Sequence, residues 1–168
     1  MKSAKVYLGL GSNLDDRGAN LHHALGLLST NISIKKVSPI YDTAPVGRTD
    51  QPRFLNMVCV GITRLSPSAL LVFVKDIEVG MGRLPGPPNS PRPIDIDILF
   101  YEDLVLTTPD LVVPHPRLEE RAFVLVPLAD IAPRFKHPTN GKTVQQILNE
   151  LKRTKDDVVK IQNNHEKI

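Results

Sequence analysis

The order in which hydrophobic periodicity changes along the first 101 residues most restricts the fold. Residues 4–10 (AKVYLGL) read as a strand that ends at Gly11-Ser12-Asn13. Residues 15–30 carry Leu21, Leu25 and Leu28 at helical spacing, which predicts an amphipathic helix. Strands are expected over 32–38, stopping before Pro39, and over 54–64 (FLNMVCVGITR). Ser66 followed by Pro67 supplies an N-cap with proline at the first helical position. The helix it opens carries Leu70, Val74, Ile77 and Met81 on one face and runs to the glycines at 80 and 82. A proline-rich loop over 83–93 (RLPGPPNSPRP) leads into a last strand at 94–101. Strand, helix, strand, strand, helix, strand is the split arrangement of an α+β, ferredoxin-like βαββαβ core. It predicts an antiparallel sheet with helices packed on it.

Residues 42–53 (DTAPVGRTDQPR) read as a loop by composition. Beyond residue 101 the sequence suggests a C-terminal extension: a short strand pair, a loop at Pro114-His115-Pro116 and short helices. A last helix is expected over 143–152, capped by Thr143. The charged tail from about residue 153 is expected to fray. With no internal repeat and no linker, residues 1–168 are expected to form a single domain.

The last core strand poses the chemical question. In PIDIDILFY the side chains of Ile94, Ile96 and Ile98 share one face, and those of Asp95 and Asp97 share the other. Aspartate is depleted in strands. Two like charges about 6–7 Å apart repel by about 2.5 kcal/mol at an effective dielectric of 20 and about 0.6 kcal/mol in water. Two readings are open. The carboxylates belong to a solvated outer sheet face, or they are hard oxygen ligands for a cation. Paired carboxylates without a cysteine or histidine motif suit Mg²⁺ better than Zn²⁺, with substrate phosphates completing the shell.

Phosphates need cations. Arg83 and Arg92 bracket the proline loop, and Arg117 and Arg121 follow His115. Arginine offers permanent charge and bidentate geometry. There is no Walker loop and no protein-kinase signature set, and GLGSN alone is a weak phosphate signal. Asn56, disfavoured in a strand, carries both donor and acceptor and so suits a flat heterocycle, or it is a satisfied sheet-end amide. Phe123 could stack on such a ring or belong to the core. Glu78 closes the second helix, either as a surface charge or facing a nucleotide.

Composition excludes other classes. A net charge of +3 accommodates an anionic ligand but is no nucleic-acid signature, and 5% aromatic residues without tryptophan argue against single-strand stacking platforms. Cys59 is the only cysteine, so no intrachain disulfide can form and a reducing, cytoplasmic location is expected. The N-terminal apolar run is too short for a signal peptide, and no stretch approaches the roughly 20 apolar residues of a membrane span.

The segments GLGSNL, YDTAPVG with DQPRFLN, IEVGMGR, PRPIDIDIL and VPHPRLEERAFVLVPLADIAP together resemble the 6-hydroxymethyl-7,8-dihydropterin pyrophosphokinase family of folate biosynthesis, from about residue 5 to residue 150. The resemblance implies a ferredoxin-like fold and transfer of diphosphate from ATP to the pterin alcohol with release of AMP. It implies two Mg²⁺ ions on Asp95 and Asp97. The pterin pocket would comprise Thr43, Pro45, Val46, Phe54, Asn56 and Phe123, backed by Gly11 and Asn13. Arg83 and Arg92 would grip the phosphates, and Glu78, Ile98, His115 and Arg121 would form the ATP site. ATP and the pterin alcohol are then the expected partners of a monomer that binds neither nucleic acid nor membrane. The chain departs from the family pattern in the loop 84–90, which lacks the usual arginines and tryptophan, and at Asp110, Phe54 and Pro116. Two rivals remain: a ferredoxin-like module that binds RNA or a regulatory ligand, and another Mg²⁺-dependent nucleotide transferase.

Overall fold

The computed structural model describes residues 2–44, 53–82, 92–152 and 158–161. The six core elements appear in the predicted order: β1 (Ala4–Ser12), α1 (Arg17–Leu28), β2 (Ile32–Val37), β4 (Phe54–Thr63), α2 (Pro67–Gly80) and β5 (Asp95–Tyr101). A short strand, β3 (Tyr41–Thr43), precedes β4 where the sequence reads as loop from residue 42. The sheet runs β5-β1-β4-β3-β8, where β8 is Val158–Lys160, with β2 also paired to β4, and among the described residues these pairings are all antiparallel. β2 and β3 thus follow one another along the same edge of β4, β2 against Cys59–Thr63 and β3 against Phe54–Asn56.

Local sequence sets the helix starts. Asp16 caps α1 by accepting the Ala19 N–H at 3.0 Å, and Ser66 caps α2 by accepting the Ala69 N–H at 3.2 Å. After β5 come the two-stranded pair β6 (Leu106–Thr107) and β7 (Val112–Val113), a 3₁₀ turn at Leu118–Glu120, α3 (Ala122–Ile131) and α4 (Val144–Glu150). Thr143 and Gln146 form a capping box on α4.

The tail corrects an expectation. Rather than fraying throughout from about residue 153, the chain returns as β8 (Val158–Lys160), paired to β3 with Thr43 opposite Val158. The reason is tertiary: β3 has an open edge, and Val158, 9% exposed, finds burial there that no local pattern announces.

Strand alternation divides the molecule into three layers. Leu8, Leu10, Met57, Cys59, Ile96 and Ile98 pack with Leu21, Leu25, Leu70 and Val74 of α1 and α2. On the other face, Tyr7, Val58, Val60 and Leu99 pack with Val124, Leu125 and Leu128 of α3 and with Val144 and Ile147 of α4. Each fully buried Leu, such as Leu21, Leu70 or Leu125, contributes about 1.5–3 kcal/mol. The helices α3 and α4 cover only part of the second face. The remainder, carrying Gly9, Gly11, Asn56, Asp95 and Asp97, is the floor of a cleft.

Candidate active site

The cleft encloses about 280 Å³ over the ends of three adjacent strands, β4, β1 and the edge strand β5. Its floor is bare where β1 contributes Gly9 and Gly11, and this bareness is enforced at Gly11. A Cβ there would sit 2.6 Å from Asn56 Oδ1 and 3.4 Å from the Phe54 ring. On one side, Asn56 donates from Nδ2 to Thr43 Oγ1 at 2.5 Å, with both residues buried. That bond orients the amide, which carries a carbonyl acceptor and a second N–H donor. Phe54 and Phe123 also line the cleft.

On the other side, β5 presents Asp95 and Asp97 into the cleft, opposite the buried isoleucines, as the alternation predicts. Each carboxylate has its own arginine. Arg92 Nη2 lies 3.5 Å from Asp95, and Arg121 Nη1 lies 3.7 Å from Asp97. Each guanidinium also lies 5.4 Å from an aromatic centroid, Arg92 over Phe54 and Arg121 over Phe123. Burial first, then the charges of Asp95 and Glu78, push the Asp97 carboxyl up to about 6 against the pull of Arg121 and Lys75.

His115 is held by its backbone N–H to Leu99 O at 3.0 Å, and its Nδ1 accepts the Arg117 N–H at 3.2 Å. Burial, followed by the nearby Arg121, lowers it to about 4, so the ring is neutral at physiological pH. A second recess adjoins the cleft through Lys75, Asp97 and His115, and Leu71, Ile98 and Leu111 give it apolar walls.

Thus Gly11, Thr43, Phe54, Asn56, Phe123, Arg92, Asp95, Asp97, His115 and Arg121 all line the main cleft. Ile98 lies in the adjoining recess. Two expected site residues stand behind the walls. Asn13 accepts the Arg92 N–H at 2.8 Å through Oδ1 and donates its own N–H to Arg92 O at 3.2 Å, pinning the entry to β5. Glu78, 2% exposed, accepts the Ile96 N–H at 2.7 Å, between the two aspartates, and Lys75 Nζ lies 3.5 Å from it. Pro45, Val46 and Arg83 lie outside the described residues, as does the loop 84–90. Arg117, a candidate phosphate cation from its place after His115, also lines the cleft, whereas Gly9 and Lys75 were not expected there. The alternation of Gly9 with Gly11 was the available sign of a bare patch on one sheet face.

The donor set suits Mg²⁺. Two hard carboxylates project side by side beside cations able to hold phosphate, and the neighbouring imidazole is neutral. Among the described residues there is no group of three or more His, Cys, Asp or Glu side chains able to enclose an ion. An ion here therefore needs oxygens from a ligand. Among the described residues, too, no helix is long and apolar enough to cross a membrane.

The model of the family described as 7,8-dihydro-6-hydroxymethylpterin-pyrophosphokinase (HPPK) matches residues 7–133. The chain is similar to the Folic acid synthesis protein FOL1 of Dictyostelium discoideum, 46% identical over 142 residues that make up 84% of this chain and 22% of that protein. It is similar also to the 2-amino-4-hydroxy-6-hydroxymethyldihydropteridine pyrophosphokinase of Aquifex aeolicus, 42% identical over 144 residues, 86% of this chain and 90% of that one. The chain spans between 21% and 23% of the length of the first curated relatives it matches. Among solved structures, a triple mutant of Plasmodium falciparum HPPK-DHPS with STZ-DHP shares the fold, with a TM-score of 0.74 at 19% identity over 89% of this chain and 43% of that chain.

Proposed function

Since the chain belongs to the 7,8-dihydro-6-hydroxymethylpterin-pyrophosphokinase family, we propose that it transfers diphosphate from ATP to 6-hydroxymethyl-7,8-dihydropterin, releasing AMP, as a step of folate biosynthesis. The observation that carries this reading is the division of one cleft into two chemistries. An oriented amide, Asn56 on Thr43, stands on one side, and a carboxylate pair with its arginines stands on the other.

In this reading the pterin lies on the glycine floor, its donor–acceptor edge toward Asn56 and its rings near Phe54 and Phe123. The Thr43–Asn56 bond holds the amide before the ligand arrives, so little ordering remains to be done on binding. The base of ATP fits the apolar recess at Leu71, Ile98 and Leu111, and its phosphates extend toward Arg92 and Arg121. Asp95 and Asp97 would hold Mg²⁺, two ions in the finer form of the proposal, and bound Mg²⁺ neutralises phosphate charge and orients the phosphoryl groups for in-line displacement. The hydroxymethyl oxygen forms a bond to the β-phosphorus, the bond from that phosphorus to the α–β bridging oxygen breaks, AMP leaves and the hydroxyl proton is released. The residues then contribute positioning and charge rather than covalent chemistry.

The same proposal includes one domain over 1–168, a monomer and a cytoplasmic location. The test is AMP formation from ATP. AMP should appear only when both the pterin alcohol and Mg²⁺ are present. AMP formation indifferent to the pterin would point to another nucleotide transferase, and pterin or RNA binding without any AMP would point to a binding module.

A further inference from the structure

The clearest charged cluster outside the cleft lies directly behind its heterocycle wall. Asp42, in the middle of β3, faces away from the cleft, toward the layer of α1. There its Oδ1 accepts from Arg53 Nε at 2.5 Å, and Arg53 Nη2 donates to the Asp42 carbonyl at 3.2 Å. Arg17, the first residue of α1, completes the set. Its Nη1 donates to the Arg53 carbonyl at 2.9 Å and lies 4.0 Å from Asp42 Oδ2. These three residues share a surface recess with Asn13, the residue that grips the Arg92 backbone.

We infer that Asp42, Arg53 and Arg17 form a positioning clamp that sets the affinity of the cleft for its heterocyclic substrate without touching it. The inference rests on the activity proposed above. Its basis is the neighbour relationship along the chain. Asp42 is bonded to Thr43 and Arg53 to Phe54, and Thr43 and Phe54 both line the cleft. The clamp therefore joins the two ends of the segment between β3 and β4 just behind the two positions that face the substrate.

The three side chains of β3 are tied to three different places. The Tyr41 hydroxyl donates to Asp130 on α3, Asp42 holds Arg53 and Arg17, and Thr43 Oγ1 receives the Asn56 amide. Because successive strand residues point to opposite faces, a twist of this short strand would strain ties on both faces. Removing Asp42 releases the α1 side alone. The strand can then rotate, carrying Thr43 Oγ1 and the Asn56 amide out of register.

The plainer reading is an ordinary surface ion pair. Arg53 is 40% exposed and Asp42 26%, and pairs at that exposure add little to global stability. Two features favour a geometric role. Both arginines also hold backbone carbonyls at the two ends of the same segment, and the pair's neighbours are substrate-facing. The two readings separate in kinetics, because a stabilising pair alters melting temperature while a clamp alters one substrate's KM.

The experiment compares wild type, Asp42→Asn, Arg53→Gln and the charge-exchanged double variant D42R/R53D. Steady-state AMP formation is measured alongside fluorescence titration of the pterin with a non-hydrolysable ATP analogue present. Each single variant should raise the pterin KM and Kd about five- to twentyfold, with the ATP KM and kcat within about threefold of wild type. The double variant should recover most of the loss. Arg17→Gln, which spares the Asp42–Arg53 pair, provides a second arm should the others not fold, and it should raise the pterin KM about threefold or more. Single variants with a pterin KM within twofold of wild type overturn the clamp. So do equal effects on both substrates, or a double variant no better than its parents. A wild-type chain that makes no AMP overturns the activity itself, which separates that failure from the clamp's.

Discussion

Arg121 Nη1 stands 3.7 Å from Asp97 Oδ2, and both residues line the cleft. The same guanidinium lies over Phe123, and Arg92 repeats the arrangement with Asp95 and Phe54. Without ligand the arginines offset charges that would otherwise repel along β5. In the proposed reaction a metal-bound polyphosphate would draw both the carboxylates and the arginines, and the repulsion between the aspartates would still be answered.

Replacing either carboxylate should therefore stop the reaction while the fold survives. Asp97→Ala and Asp95→Ala leave Ile96 and Ile98 packed on the α1–α2 side, so melting temperature should change by only a few degrees. Turnover should fall by about a hundredfold or more, since in the proposed reaction the site would act mainly by aligned charge stabilisation. AMP formation at saturating Mg²⁺ checks this, and near-normal activity of Asp97→Ala would sink the metal assignment.

Arg92→Ala should lower turnover more than ATP affinity. Loss of one charge-assisted hydrogen bond costs about 1.5–3 kcal/mol, roughly ten- to a hundredfold, and the charge it answers is greatest in the transfer step. Asn13 holds the backbone of Arg92 rather than its side chain, so the strand entry stays in place in the variant. Comparison of kcat with ATP-analogue affinity tests the claim. Intact turnover would count against it.

Gly11→Ala should imitate Asn56→Ala. The added methyl would lie 2.6 Å from Asn56 Oδ1 and force the amide off Thr43. Both variants should weaken pterin binding by about 1–3 kcal/mol and leave ATP binding within about twofold, because the mismatch is confined to one amide. Calorimetry with each ligand separately would show it. A pterin affinity unchanged in Asn56→Ala would return that residue to a purely structural role.

Asp97 and His115 predict opposite pH dependences for the metal-free protein. The Asp97 carboxyl is raised to about 6, so the folded state binds its proton more tightly than the unfolded chain. Its contribution is fully present below the ordinary carboxylate range and is lost as pH rises through about 6. His115 is lowered to about 4, so its contribution is fully present above about 6.5 and is lost as pH falls through about 4. Asp97→Asn should then be the more stable protein at pH 8. His115→Asn, which can keep an acceptor for the Arg117 N–H, should be the more stable at pH 4. Each effect is about 2–3 kcal/mol at its extreme. Denaturant unfolding of both variants across that range, with chelator present, supplies the check. Parallel pH curves for variant and wild type would contradict it.

Much of this molecule was legible in the chain itself, because local rules decide it. The period of apolar residues assigned β1, α1, β2, β4, α2 and β5, and the Ser66-Pro67 and Thr143 signals placed helix starts within a residue. Alternation alone put Asp95 and Asp97 opposite Ile96 and Ile98. What alternation could not say was whether that face would meet water or a wall. The answer came from α3, which brings Arg121 and Phe123 against it from a distant part of the chain. In the same way Asn13 and Glu78 have residue types fit for a binding site, yet they serve the site from behind, and only packing shows it. β3 and β8 escaped the reading because three-residue strands have too few alternations to register, and each depends on an edge supplied elsewhere. Sequence determined which residues could share a face, since that follows from backbone geometry within one element. Tertiary structure decided which faces meet, since that follows from where distant elements find burial and counter-charge.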